Sequence, residues 1–216
     1  ATIYHSGVTI AQDRLDELWD FEDAAASEAR LRAAADAASG ADADELQTQV
    51  ARALGLQGRF AAADAVLDAL DPAASPAVQT RVVLERGRLR NSAGDADAAV
   101  PLFERAAEAA ASAGLLFLEV DALHMLAIAD RARADAWTDR ALAALGTTDD
   151  ARTLRWRVGL YNNRGWARFD EGRWDDALVA FRASRDAAVR WGTSQQVEWA
   201  DEAIAETRAA IDPAGR

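Results

Sequence analysis

The chain has 216 residues, half of them hydrophobic and 28% charged, with a formal net charge of −12 at pH 7. It contains no Cys, which excludes disulfides, thiol catalysis and thiolate metal sites, and its acidic balance repels nucleic acid and anionic membranes unless a local basic patch intervenes. Ala, Leu, Arg and Glu favour helix, runs of Val, Ile and Thr are few, and only four Pro are present, so an all-α protein is expected.

Residues 1–9 carry no helical period and read as an N-terminal arm. Leu15, Leu18 and Trp19 then form an apolar stripe. The small-residue run Ala24–Ala38 follows and ends near Gly40, so residues 10–40 read as a helical hairpin. Residues 45–71 repeat a pattern of small, turn, large, small, large: Ala51, then Gly58, Phe60, Ala63 and Leu67. Residues 78–113 repeat it with Gly87, Gly94, Ala99, Phe103 and Ala106, and the two turn glycines lie 36 residues apart. Pro101 falls inside the second helix of this unit, where its missing N–H predicts a kink or a late helix start.

Residues 115–146 keep the small positions Ala122, Ala134 and Ala141 but lack a turn Gly and place Thr138 where a large residue is expected. The spacing to the next unit predicts longer helices or a longer loop around Gly146 to Asp150. Residues 151–191 hold the fullest copy: Tyr161, Gly165, Gly172, Trp174, Ala177, Phe181 and Ser184. Residues 194–211 read as one closing helix, and 212–216 as a tail. Hairpins recurring at this period are the signature of a solenoid.

The order of aromatic, Gly, turn Gly, aromatic, Ala, aromatic and small residue resembles the tetratricopeptide repeat. The resemblance spans roughly residues 45–191 and implies a right-handed superhelix of antiparallel helical hairpins. It departs from the motif at Arg86 and Arg90, which take apolar places, and lacks the usual closing Pro except near Pro72 and Pro76. In such arrays one face of each first helix lines a concave groove. The resemblance places Arg52, Arg88, Leu123 or His124, and then Asn162, Trp166, Phe169 and Asp170 on that face.

Groups that could carry chemistry are sparse. His5 lies in the arm. His124 follows Asp121 by three residues on one helix face, but no second His pair completes a metal site. The acidic pairs Asp42/Asp44, Asp95/Asp97, Asp149/Asp150 and Asp175/Asp176 stand at expected helix starts, where carboxylates cap free N–H groups. No phosphate loop, nucleophile elbow or calcium-loop spacing is present. The expectation is therefore no enzyme, no metal and no cofactor.

A non-catalytic scaffold is expected instead, holding a protein or peptide segment in its groove. Arg52 and Arg88, one repeat apart, would suit a segment with acidic residues or a free carboxylate. The bland reading pairs both with acids such as Glu45 and Glu85. Two alternatives are a homodimer module using Trp191 and Trp199, and a sensory or regulatory ligand-binding domain. No run of about eighteen apolar residues marks a membrane span. With no signal-peptide pattern at the N-terminus, a cytoplasmic location is expected.

Overall fold

The computed structural model describes residues 10–71 and 75–212, and among them every regular element is helical. The predicted arm, with His5, and Pro72 lie outside the described residues. The chain divides into two compact units, Ala1–Arg131 and Ala132–Arg216. The boundary falls inside the segment read from the sequence as the third hairpin.

The first unit carries α1 (Gln12–Leu18), α2 (Ala24–Ala37), α3 (Gly40–Leu56), α4 (Phe60–Asp68), α5 (Pro76–Ser92), α6 (Ala96–Ser112) and α7 (Leu116–Ala129). Consecutive helices pack along one another from α2 to α7, and α3, α5 and α7 are brought side by side. Leu15, Leu31, Val50, Leu54 and Leu67 are buried in one cluster that joins α1 to α4. Several expectations shift here. α1 is short, and Trp19 stands just beyond its end. Gly40 opens α3 rather than closing α2. Pro76 occupies the first turn of α5 behind the Ser75 cap, where a missing N–H costs nothing. α6 starts at Ala96, capped by Asp95, and continues through the exposed Pro101 without a late start.

The same C-terminal turn recurs. Gly58, Gly94 and Gly114 take φ of 72°, 85° and 68°, and the N–H of the next residue returns to a carbonyl five residues earlier: Arg59 to Leu54, Asp95 to Arg90, Leu115 to Ala110. This closes the helix and turns the chain back, and only Gly adopts that φ without strain. Where the turn leads, the next helix lies antiparallel. Arg86 and Arg90, at places the motif keeps apolar, point toward α4 and pair with Asp68 at 2.5 Å and Asp64 at 3.0 Å.

The second unit carries α8 (Ala134–Ala144), the short α9 (Ala151–Leu154), α10 (Trp156–Asp170), α11 (Trp174–Trp191) and α12 (Ser194–Ile211). The stretch around Gly146 is a 3-10 turn, Leu145–Thr147, followed by the Asp150 cap of α9. Thr138 is buried, its hydroxyl satisfied by donation to the Ala134 carbonyl at 2.9 Å. α10 and α11 are joined by Gly172 at φ 72°, with Arg173 N–H returning to the Arg168 carbonyl. α12 begins with a reciprocal cap between Thr193 and Gln196 and packs on α11.

Two hairpins, α5–α6 and α10–α11, each close around one residue pair sixteen places apart. A Cβ on Gly165 would stand 2.5 Å from Phe181 Cδ1, and one on Gly87 would stand 2.5 Å from Phe103 Cε1. The missing side chain is the space each ring fills. Ala51 and Leu67, at the same spacing in α3 and α4, are both buried in one cluster. Ala63, Ala99, Ala106 and Ala177 are likewise buried. Phe60 and Tyr161 are half-buried. Trp174, assigned a core place from the motif, is 38% exposed, because it is the first residue of α11 and has no preceding turn to cover it.

Candidate functional site

A buried charge ladder runs across α3, α5 and α7. Its rungs follow one period. Glu45 and Arg81 are 36 residues apart; the same step links Gln49 to Glu85 to Asp121, and Arg52 to Arg88 to His124. α3 and α5 contribute their side chains at spacings of three, four and seven and α7 at a spacing of three, which puts them on one face of each helix.

Arg81 Nε donates to Glu45 Oε1 at 2.8 Å, with both side chains essentially inaccessible. Arg81 also donates to Gln12 at 3.3 Å. Arg88 forks between Glu85 on its own helix and Asp121 on α7. Burial opposes the charge on Arg88, but Asp121 and Glu85 outweigh it and raise its pKa. Burial likewise pushes the Asp121 carboxyl up, and Arg88 and Arg52 override it and hold it below its ordinary range. His124 is lowered to about 4, by burial first and by Arg88 and Arg52, although Asp121 acts in the opposite direction. Its imidazole is neutral at pH 7.

Arg52 is placed differently. It makes no ion pair with another described residue. Its guanidinium lies 5.3 Å from the Trp19 ring centroid and 5.4 Å from that of Phe21. Those two rings stack in parallel at 5.0 Å, and Trp19 Nε1 donates to Gln49 at 3.2 Å. Burial, then the nearby Arg88, draws the Arg52 pKa down to about 10, so it stays charged at neutral pH. Phe21 is 65% exposed. A cation and two aromatic faces therefore meet at the edge of the ladder.

The sequence placed Arg52, Arg88 and His124 at equivalent positions, and the structure brings them together, with His124 rather than Leu123 in register; Leu123 is buried in the core. Their roles separate, because Arg88 is committed to carboxylates of this chain while Arg52 is not. Glu45 is the partner of Arg81 and not of Arg52. The Arg81–Glu45 pair went unnoticed in the sequence. A signal for it was present, since opposite charges stand one period apart.

The remaining groove positions lie in the second unit. Asn162 and Trp166 line a cleft of about 420 Å³ between α10, α11 and α12. Phe169 packs with Trp166 against Ala203 and Ile204, and Asp170 is exposed at the end of α10. Trp166, placed on the groove face by the resemblance, also meets Phe181 of the partner helix α11 edge-on at 5.0 Å, the ring that fills the space beside Gly165. Trp191 is half-buried against Val158, Ala187 and Ala188, with Arg157 and Arg190 near its ring. Trp199 is 56% exposed.

Among the described residues no group of three or more His, Asp or Glu side chains is placed to hold a metal ion, and no helix is long and apolar enough to cross a membrane.

These features define a class: an all-α protein built of helical hairpins, with a polar ladder along one face of its first unit and a cleft in its second. No protein-family profile and no curated protein matches the chain. Among solved structures it is similar to the crystal structure of BtubC (BKLC) from P. vanneervenii, with a TM-score of 0.56, 18% identity, and 92% of each chain covered. At that identity the likeness is one of fold.

Proposed function

We infer that the chain is a non-catalytic module of tetratricopeptide-like hairpins that holds a protein or peptide segment. The Gly87–Phe103 and Gly165–Phe181 packing supports the repeat reading, since both pairs sit at the motif's small and aromatic places. The observation that carries the function is the Trp19–Phe21–Arg52 cluster. Trp and Arg are the residues on which binding interfaces concentrate their energy, and here a charged guanidinium that makes no ion pair among the described residues lies over two stacked rings, one of them exposed.

An acidic segment has weaker support. Arg52 and Arg88 face Glu85 and Asp121 of this chain, so the ladder is balanced in charge. Recognition would rest on aromatic contact with one cation beside it. For self-association, Trp199 and Val189 are exposed but Trp191 is not, which removes half of the patch that reading needs.

The test is affinity capture from the source cell's lysate with Arg52→Ala and Phe21→Ser variants beside the wild type. A protein retained by the wild type and lost by both variants supports the reading. Equal retention by all three refutes it.

A further inference from the structure

The cleft of the second unit has a chemistry of its own. It is lined by Val158, Gly159, Ala200 and Ala203, with the indoles of Trp166 and Trp199. Two carboxylates, Glu202 and Glu206, complete it from α12. They stand one turn apart on the same face, about 5–6 Å between Cβ atoms, and neither makes an ion pair with a described residue. Asp201, the residue just before Glu202, does: it accepts from Arg185 at 2.6 Å. Asn162 also lines the cleft, and its amide makes no hydrogen bond to a described residue.

Of the other polar groups at the cleft, two are already engaged. Ser184 donates its hydroxyl to the Val158 carbonyl at 2.9 Å. Gln196 Oε1 accepts from Arg155 Nε at 3.1 Å and from Thr193 N–H at 3.2 Å. What remains without a hydrogen-bond or ion-pair partner among the described residues is the two carboxylates and the Asn162 amide, beside indole rings. Like charges at this helical spacing repel each other, and a cation between them would relieve that repulsion. Indole faces attract cations as well.

We propose that this cleft binds an arginine side chain of a partner polypeptide, stacked on indole and forked to the Glu202 and Glu206 carboxylates. Arginine fits better than lysine. Its planar guanidinium stacks on a ring and presents a fork of donors, whereas an ammonium is a compact, strongly hydrated point charge. The volume suits one long side chain and its flanking backbone, at the small end of ligand pockets. The proposal stands apart from the Trp19–Phe21–Arg52 reading, since no residue is shared.

Calorimetry on the full chain tests it with a blocked pentapeptide holding one central arginine among glycine and serine. Its counterpart carries citrulline, which keeps the shape and removes the charge. The arginine peptide is expected to bind about tenfold or more tightly than the citrulline one, as loss of a charge-assisted pair implies. Glu202→Gln with Glu206→Gln should weaken the arginine peptide by a similar factor, and Trp199→Ala should weaken it several-fold. All these side chains are exposed, so circular dichroism should show unchanged helix content. Arg52→Ala should leave binding as in the wild type.

Equal binding of the citrulline peptide, indifference to the double Gln variant, or no saturable binding below about 10 mM would each overturn the proposal. Methylguanidinium saturating the site as tightly as the peptide would overturn its assignment to a polypeptide side chain.

Discussion

Arg88 on α5 reaches Asp121 on α7 while keeping Glu85 on its own helix, and both carboxylates are almost wholly buried. One guanidinium thus bridges two buried acids, and Arg52 adds a second positive charge nearby. Removing Arg88 leaves both without their directly paired cation, and breaking a buried pair in this way costs about 3–5 kcal/mol. Arg88→Ala should therefore lower the urea midpoint sharply. Arg52→Ala, which breaks no ion pair among the described residues, should cost far less. Equal losses for the two variants would contradict the division of roles drawn here.

The ladder also predicts acid sensitivity. His124 in the fold is lowered to about 4 from an ordinary value of about 6.5, so the unfolded chain binds its proton first. Its contribution is complete above about pH 6.5 and is lost as pH falls through about 4. Asp121, held low by Arg88 and Arg52, acts in the same direction at lower pH: its contribution is present above the ordinary carboxylate range and lost below it. Thermal unfolding followed between pH 7 and 4 should show a falling Tm, with a shallower slope in His124→Gln. A slope unchanged by that variant would remove His124 from the account.

Two glycines in the second unit are needed for different reasons. Gly165 has ordinary helical backbone, but a Cβ there meets the Phe181 ring. Gly165→Ala should overpack the contact and cost about 1–3 kcal/mol. Gly172 has open space around it but a φ of 72°, so Gly172→Ala should cost about 1–2 kcal/mol from backbone strain alone. Phe181→Leu in the Gly165→Ala background should recover part of the first loss and none of the second. Additive behaviour of Gly165→Ala with Phe181→Leu would show that the two residues do not share the space.

Phe21 offers a surface test. It is 65% exposed and, among the described residues, its ring contacts are with Trp19 and Arg52. Phe21→Ser should leave stability within about 0.5 kcal/mol, as for other surface positions. The same variant should lose partner capture. A large drop in Tm would instead make Phe21 a structural residue.

Much of the helical plan was legible from local pattern. Gly58, Gly94 and Gly172 announced the turns because few other residues reach a positive φ cheaply. Gly87, Gly165 and their aromatic partners announced the hairpin packing because a ring needs an empty place beside it. The last helix, residues 194–211, appeared with the bounds expected, since its cap and its end are both local. The role of each arginine was not legible. All 24 basic residues are the same type, and pattern alone put Arg52 and Arg88 in one class.

What the sequence by itself determined is therefore the element plan: helix type, turn positions, and the small-against-large pairs that close each hairpin. Those depend on residues within about twenty positions of one another. Only the tertiary structure decided which charges are spent within the chain and which stay available. Asp121 meets Arg88 from 33 residues away, and Trp19 meets Gln49 from 30. A charge pairs with whatever the fold brings within about 3 Å of it, and that distance is fixed by how helices lie side by side rather than by any one helix alone.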